Sequence, residues 1–150
     1  MQMTPAGRAQ LAIDEGKRSF VYDDKTSLPI LHGEGGGIPT IGIGRNLRDT
    51  GLSDDEIELL FTNDINRACQ KIAASAPWAT EIDPVWQDVL LNIQFNTGNV
   101  LAWPMTLAAM RAGDAVAAAQ DVLNSKAAAE APERYKRLAA AVINRGWNVS

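Results

Sequence analysis

Two carboxyl groups and a hydroxyl stand close together near the start of this chain. Glu15 and Asp24 are separated by eight residues, Asp23 sits beside the second acid, and Thr40 follows a glycine-rich run, H-G-E-G-G-G, at 32–37. Such a set can hydrolyse a glycosidic bond: one carboxyl protonates the leaving oxygen, and the other governs the water or nucleophile. Paired acids alone are more often surface charges, so the elements that hold them carry the argument.

Thr4-Pro5 reads as an N-cap with proline at the first helical position, which predicts a helix over residues 4–14 stopped by Gly16. Glu15 then falls at a helix C-terminus, whose partial negative charge suits an acid that must keep its proton. Ser19 to Tyr22 reads as a short strand, Asp23 to Thr26 as a turn, Leu28 to Leu31 as a second strand or an extended arm, and Ile38 to Ile43 as a returning strand. A small antiparallel sheet over 19–44 follows. Register decides which acid faces Thr40, because a one-residue slip exchanges Asp23 for Asp24.

The rest of the chain is helical in pattern. Ser53 with Glu56 forms a capping box, and Ile57, Leu60, Phe61, Ile65, Cys69 and Ile72 recur at helical spacing. A helix over 54–73 would be roughly 30 Å long and able to bridge two lobes. Asp83-Pro84 opens a helix closed by Gly98, Trp103 to Arg111 is a short helix, Gly113-Asp114 introduces 115–123, and Pro132 or Glu133 opens a last helix ending at Gly146. The fold class expected is α+β: a sheet lobe at 13–60, the bridging helix, and a helical lobe at 74–150 joined by helix 4–14.

Composition narrows the partners. The 150 residues carry a net charge of −4, which argues against binding nucleic acid through phosphates. Charge is uneven: Asp49 to Asp64 holds six acids and no base, and Lys126 to Ser150 five bases and two acids. No run is long and apolar enough to insert in a membrane, and the opening M-Q-M-T-P-A-G-R lacks a signal peptide's apolar core. Synthesis in the cytoplasm follows as an expectation, with release needed for any substrate outside. The single cysteine, Cys69, forms no internal disulfide and reads as a small buried hydrophobe. His32, without a Cys/His cluster, is a poor metal ligand, and no cofactor is implied. Trp78, Trp86, Trp103 and Trp147 read as core anchors rather than sugar platforms.

I-D-E-G-K-R, V-Y-D-D and T-I-G-I-G, in that order, resemble the active-site segment of the phage-type lysozymes, glycoside hydrolase family 24. The resemblance continues in L-S-D-D-E-I-E-L-L-F-T-N-D-I, in N-I-Q-F-N-T-G, around Trp103 to Leu107, and from P-E-R-Y-K-R to R-G-W. It implies a lysozyme-like fold with a cleft between the lobes. It also implies a monomeric muramidase that cuts the β-1,4 bond between N-acetylmuramic acid and N-acetylglucosamine in peptidoglycan, inverting the anomeric centre, for lysis of a bacterial host. By that resemblance Glu15 is the general acid, Asp24 the carboxylate that positions or deprotonates the water, and Thr40 its support. Phe95, Asn96 and Arg134 lie on the substrate side, with Arg134 placed to pair with Glu15 and Asp14 with Arg137. Release to the wall through a holin-type lesion is the family expectation. An inactive wall-binding or virion module, or a lytic transglycosylase, would be the other outcomes on the same scaffold.

Two features depart from the family pattern. Fifteen residues lie between Asp24 and Thr40, a longer segment than in relatives, containing Pro29, His32, Glu34 and the glycines. It reads as a longer surface hairpin or as a rim that touches substrate. Arg45 stands where relatives often carry histidine, which predicts an Arg45–Asp64 ion pair that does not titrate near neutrality.

Overall fold

A computed structural model describes residues 18–30 and 36–147. The expected helix 4–14, Asp14, Glu15 and Gly16, and loop residues Leu31 to Gly35 with His32 and Glu34, lie outside the described residues. The chain divides into two units, Met1–Glu58 and Leu59–Ser150.

The first unit is built on a three-stranded antiparallel sheet in the order β1 (Arg18–Asp23), β2 (Pro39–Gly42), β3 (Arg45–Asn46). Tyr22 pairs with Thr40 and Asp23 with Pro39, but the next partner of Gly42 is Arg18, so β1 advances four residues while β2 retreats two. The surplus is a bulge that twists β1 where Phe20 points to solvent. Gly42 and Gly44 adopt φ of 68° and 66°, which lets β2 turn into β3 within three residues. β3 extends the sheet beyond the 19–44 expected. The Leu28–Ile30 segment returns along β1: Pro29 bridges Tyr22, and Ile30 N–H donates to Val21 O at 3.0 Å. It is the extended arm rather than a full strand.

Helix α1 (Asp54–Ser75) starts in the first unit and continues into the second. Its start follows the capping pattern in part: Glu56 Oε2 accepts from both the Ser53 N–H and the Ser53 hydroxyl, each at 2.9 Å. The expected apolar stripe is largely not buried. Ile57, Leu60 and Phe61 are about half exposed, and burial begins with Ala68 and Ile72. That inward line is i, i+4 from 68 to 72, so Cys69, about 100° further round the helix, is turned outward. The expectation of a buried cysteine is therefore corrected: Cys69 is free and exposed.

In the second unit a 3-10 turn, Pro77–Thr80, precedes α2 (Pro84–Thr97), α3 (Pro104–Ala112), α4 (Ala115–Asn124), α5 (Lys126–Glu130) and α6 (Pro132–Asn144). The starts are chemical. Asp83 accepts from Val85 N–H at 2.9 Å ahead of Pro84, Asp114 from Ala117 N–H at 2.9 Å, and Ser125 from Ala128 N–H at 3.1 Å. Gly98 and Gly113 close α2 and α3 in left-handed conformations. Helix α5 is a short element that the capping and spacing signals do not predict. The last helix stops at Arg145, not Gly146: Arg145 takes φ of 50°, held by its guanidinium over the Trp86 ring and an ion pair to Asp83 at 3.3 Å.

Trp86, Val89, Leu90 and Ile93 of α2 meet Tyr135, Leu138 and Val142 of α6, and Met110, Ala118 and Val122 complete the core. Buried Ala118, Ala119, Ala139 and Ala141 let α4 and α6 approach closely. Trp86 and Trp103 are core anchors as expected. Trp147, 37% exposed, is instead held by its indole N–H on Asp88 at 3.0 Å. Among the described residues no helix is long and apolar enough to cross a membrane.

Candidate active site

β1 ends on Asp23 and the turn after it begins with Asp24; both carboxylates sit beside Gly37, in different settings. Asp23 is 2% exposed, and both of its oxygens are occupied. Oδ2 accepts from Gly37 N–H at 2.6 Å; Oδ1 accepts from Lys25 N–H at 2.9 Å and Thr26 N–H at 3.0 Å. The Gly37 amide first, then that of Thr26, hold the Asp23 carboxyl below the usual aspartate value, against the opposing effect of burial. This acid is committed to folding the turn.

Asp24 is exposed, and its Oδ1 accepts from Ile38 N–H at 2.7 Å. Thr40 is buried in the sheet and donates its hydroxyl to Ile38 O at 3.0 Å. With that proton engaged, the Thr40 oxygen presents lone pairs as acceptors. Tyr22 and Asn46 stand opposite Thr40 on the flanking strands and so share its face. Asp24 reaches them from the turn that follows β1. Together they line a hollow of about 370 Å³, with Arg18 and Gly44 at its edge.

The sequence pointed to Asp24 and Thr40 and missed Tyr22 and Asn46. Their signal is pleat parity once Tyr22 is paired with Thr40. It also missed the clamp that positions Asp24. Gly36 O accepts from Lys25 Nζ at 3.2 Å, Gly37 O accepts from Arg48 at 2.9 Å, and the next amide, Ile38 N–H, binds Asp24. The C-terminal end of the long 25–39 segment is thereby sewn to the turn that carries both acids.

The expected Arg45–Asp64 pair is corrected. Arg45 pairs with Glu56 in its own unit, and Asp64 pairs with Arg67 one helical turn away. Glu56 is already drawn toward the sheet side by Ser53, so it is the acid a short β3 brings within reach. A double-mutant cycle is expected to give Arg45–Glu56 only a small coupling, as for a solvent-screened pair, and none for Arg45–Asp64. A larger Arg45–Asp64 coupling would reverse this assignment.

In the second unit, α2 presents Asn92 and Asn96 to the start of α6. Arg134 Nε donates to Asn92 Oδ1 at 2.8 Å, and Tyr135 donates to Asn96 Oδ1 at 2.7 Å. The proposed Arg134–Glu15 and Arg137–Asp14 pairs have partners outside the described residues. Phe95 is about half exposed rather than in the core, with its ring edge-on to Phe61 at 5.9 Å. Among the described residues no cluster of three or more His, Cys, Asp or Glu is placed to hold a metal.

No protein-family model matches the chain, and no curated protein is significantly similar to it.

Proposed function

We propose that this chain is a phage-type lysozyme, a muramidase that hydrolyses the β-1,4 bond between N-acetylmuramic acid and N-acetylglucosamine of peptidoglycan. The observation that carries the reading is the joint presence of an available carboxylate and a hydroxyl acceptor, Asp24 and Thr40, in the lining of one hollow, at the positions the family pattern specifies. A water in that hollow can give one hydrogen to Asp24 and the other to Thr40, which leaves a lone pair free to attack. Such a pair of acceptors orients a nucleophile and does not supply the leaving-group proton. That proton is assigned to Glu15. Inversion follows if the water attacks from the face opposite the acid.

On this reading the fold is lysozyme-like, with a cleft between a sheet lobe and a helical lobe, and Phe95, Asn96 and Arg134 belong to the substrate side. The enzyme works as a monomer, is made in the host cytoplasm, and reaches the wall after a lesion releases it.

Digestion of purified peptidoglycan with analysis of the new ends tests the proposal. Ordinary reducing muramic acid ends are expected, and a folded Glu15→Gln variant should make them at least about a hundredfold more slowly. Anhydro-muramic ends would reassign the protein as a lytic transglycosylase. Absence of cleavage would leave a wall-binding or virion module on the same scaffold.

A further inference from the structure

The second unit contains a hollow of about 580 Å³ bordered by Asn96, Trp103, Met105, Asp121, Lys126 and Glu130. Beneath it Tyr135 is fully buried, its ring stacked on Trp103 at 5.7 Å and nearly parallel. The Tyr135 hydroxyl donates to Asn96 Oδ1 at 2.7 Å. A buried phenol must place its proton on an acceptor, and Asn96 is the one it has among the described residues. Burial also pushes the Tyr135 pKa up, so the proton stays on the ring oxygen.

An asparagine side chain is two-sided: a carbonyl that accepts and an amide that donates. With its carbonyl engaged by Tyr135, Asn96, which borders the hollow, keeps its NH₂ to donate. We propose that Tyr135 is a positioning residue that fixes Asn96 as a hydrogen-bond donor, so that the hollow takes its ligand through an acetamido carbonyl oxygen of an amino sugar. The choice of sugar rests on the muramidase reading. The donor polarity rests on the Tyr135–Asn96 bond alone. Without the phenol the amide could rotate, and half of its orientations would present a carbonyl that repels the same ligand.

The test follows the Asn96 side-chain amide and Trp103 indole resonances during titration of the intact protein with three probes. These are the β-1,4 trimer of N-acetylglucosamine, the neutral β-1,4 glucose trimer that lacks acetamido groups, and an alanyl-isoglutamine dipeptide. The parent is expected to prefer the acetylated trimer to the glucose trimer by about tenfold. Tyr135→Phe keeps the ring and its stack on Trp103, and is expected to erase most of that preference. Asn96→Asp keeps the acceptor for Tyr135, removes the donor, and should erase the preference without touching the phenol.

A folded Tyr135→Phe or Asn96→Asp variant with undiminished preference overturns the inference, as does a hollow that answers only the dipeptide. Peptidoglycan cleavage is measured separately on the same preparations. A parent that cleaves but binds both trimers alike overturns this inference and leaves the muramidase reading intact. A parent that prefers the acetylated trimer but cuts no peptidoglycan supports the inference and overturns that reading.

Discussion

Asp24→Asn is expected to slow peptidoglycan cleavage by about 10²–10⁴-fold while leaving the protein folded. That range corresponds to about 3–5 kcal/mol of lost transition-state stabilisation. The substituted side chain keeps an oxygen for Ile38 N–H, the bond that Asp24 makes at 2.7 Å. It loses the negative charge and the capacity to take a proton from water. Asp23→Asn supplies the contrast. There both oxygens are engaged by three backbone amides, so an NH₂ on either side is driven against an N–H. The expected result is a lower melting temperature, with activity per folded molecule retained.

The pH dependence of that second variant has a definite sign. The folded-state pKa of Asp23 lies below the ordinary value of 3.8. The stability it contributes is therefore complete above that ordinary value and is lost as pH falls through the depressed one. The gap in stability between parent and Asp23→Asn should be widest at neutral pH and close in strong acid. Thermal melting from neutral pH downward checks it. If folded Asp23→Asn is inactive and folded Asp24→Asn is active, the roles of the two acids are exchanged.

What could be seen in the sequence depended on how local each cause is. Asp83-Pro84, Gly98 and Gly113-Asp114 cap helices through groups within a few residues, and the elements begin and end where those residues stand. Strand β3 has two residues and α5 five, too short for any period, and each exists because of what it pairs or packs with. The apolar residues at the start of α1 have helical spacing without helical burial, because spacing specifies a face and not what covers it. Long side chains were the least legible. Arg45 had several acids within reach in sequence, and Glu56, already bonded to Ser53, is the one the sheet brings close. Within the site, Asp23 and Asp24 are equivalent as letters. Burial and the amides of Lys25, Thr26 and Gly37 on Asp23, against the exposure of Asp24, separate them. Tyr135 reads as one more core aromatic until its hydroxyl is found against Asn96.

Gly37→Ala is expected to be more damaging than a methyl added at Gly36, Gly42 or Gly51, costing about 2–3 kcal/mol or more and most of the activity with it. A Cβ at Gly37 would overlap the carboxylates of both Asp23 and Asp24. Neither has an easy retreat. Asp23 is buried and holds the Lys25 and Thr26 amides, and Asp24 is tied to Ile38 N–H. The backbone cannot readily withdraw, since the Gly37 carbonyl is gripped by Arg48 at 2.9 Å and the Gly36 carbonyl by Lys25 at 3.2 Å. Gly42→Ala is the informative comparison. It sits at φ of 68° with open space around the added methyl, so its cost is conformational only, about 1–2 kcal/mol. Denaturant titration of the two variants beside the parent separates crowding from backbone strain. A Gly37→Ala protein as stable and as active as the parent would mean that the clamp does not hold Asp24 in place. The water-orienting role would then have to rest on the sheet alone.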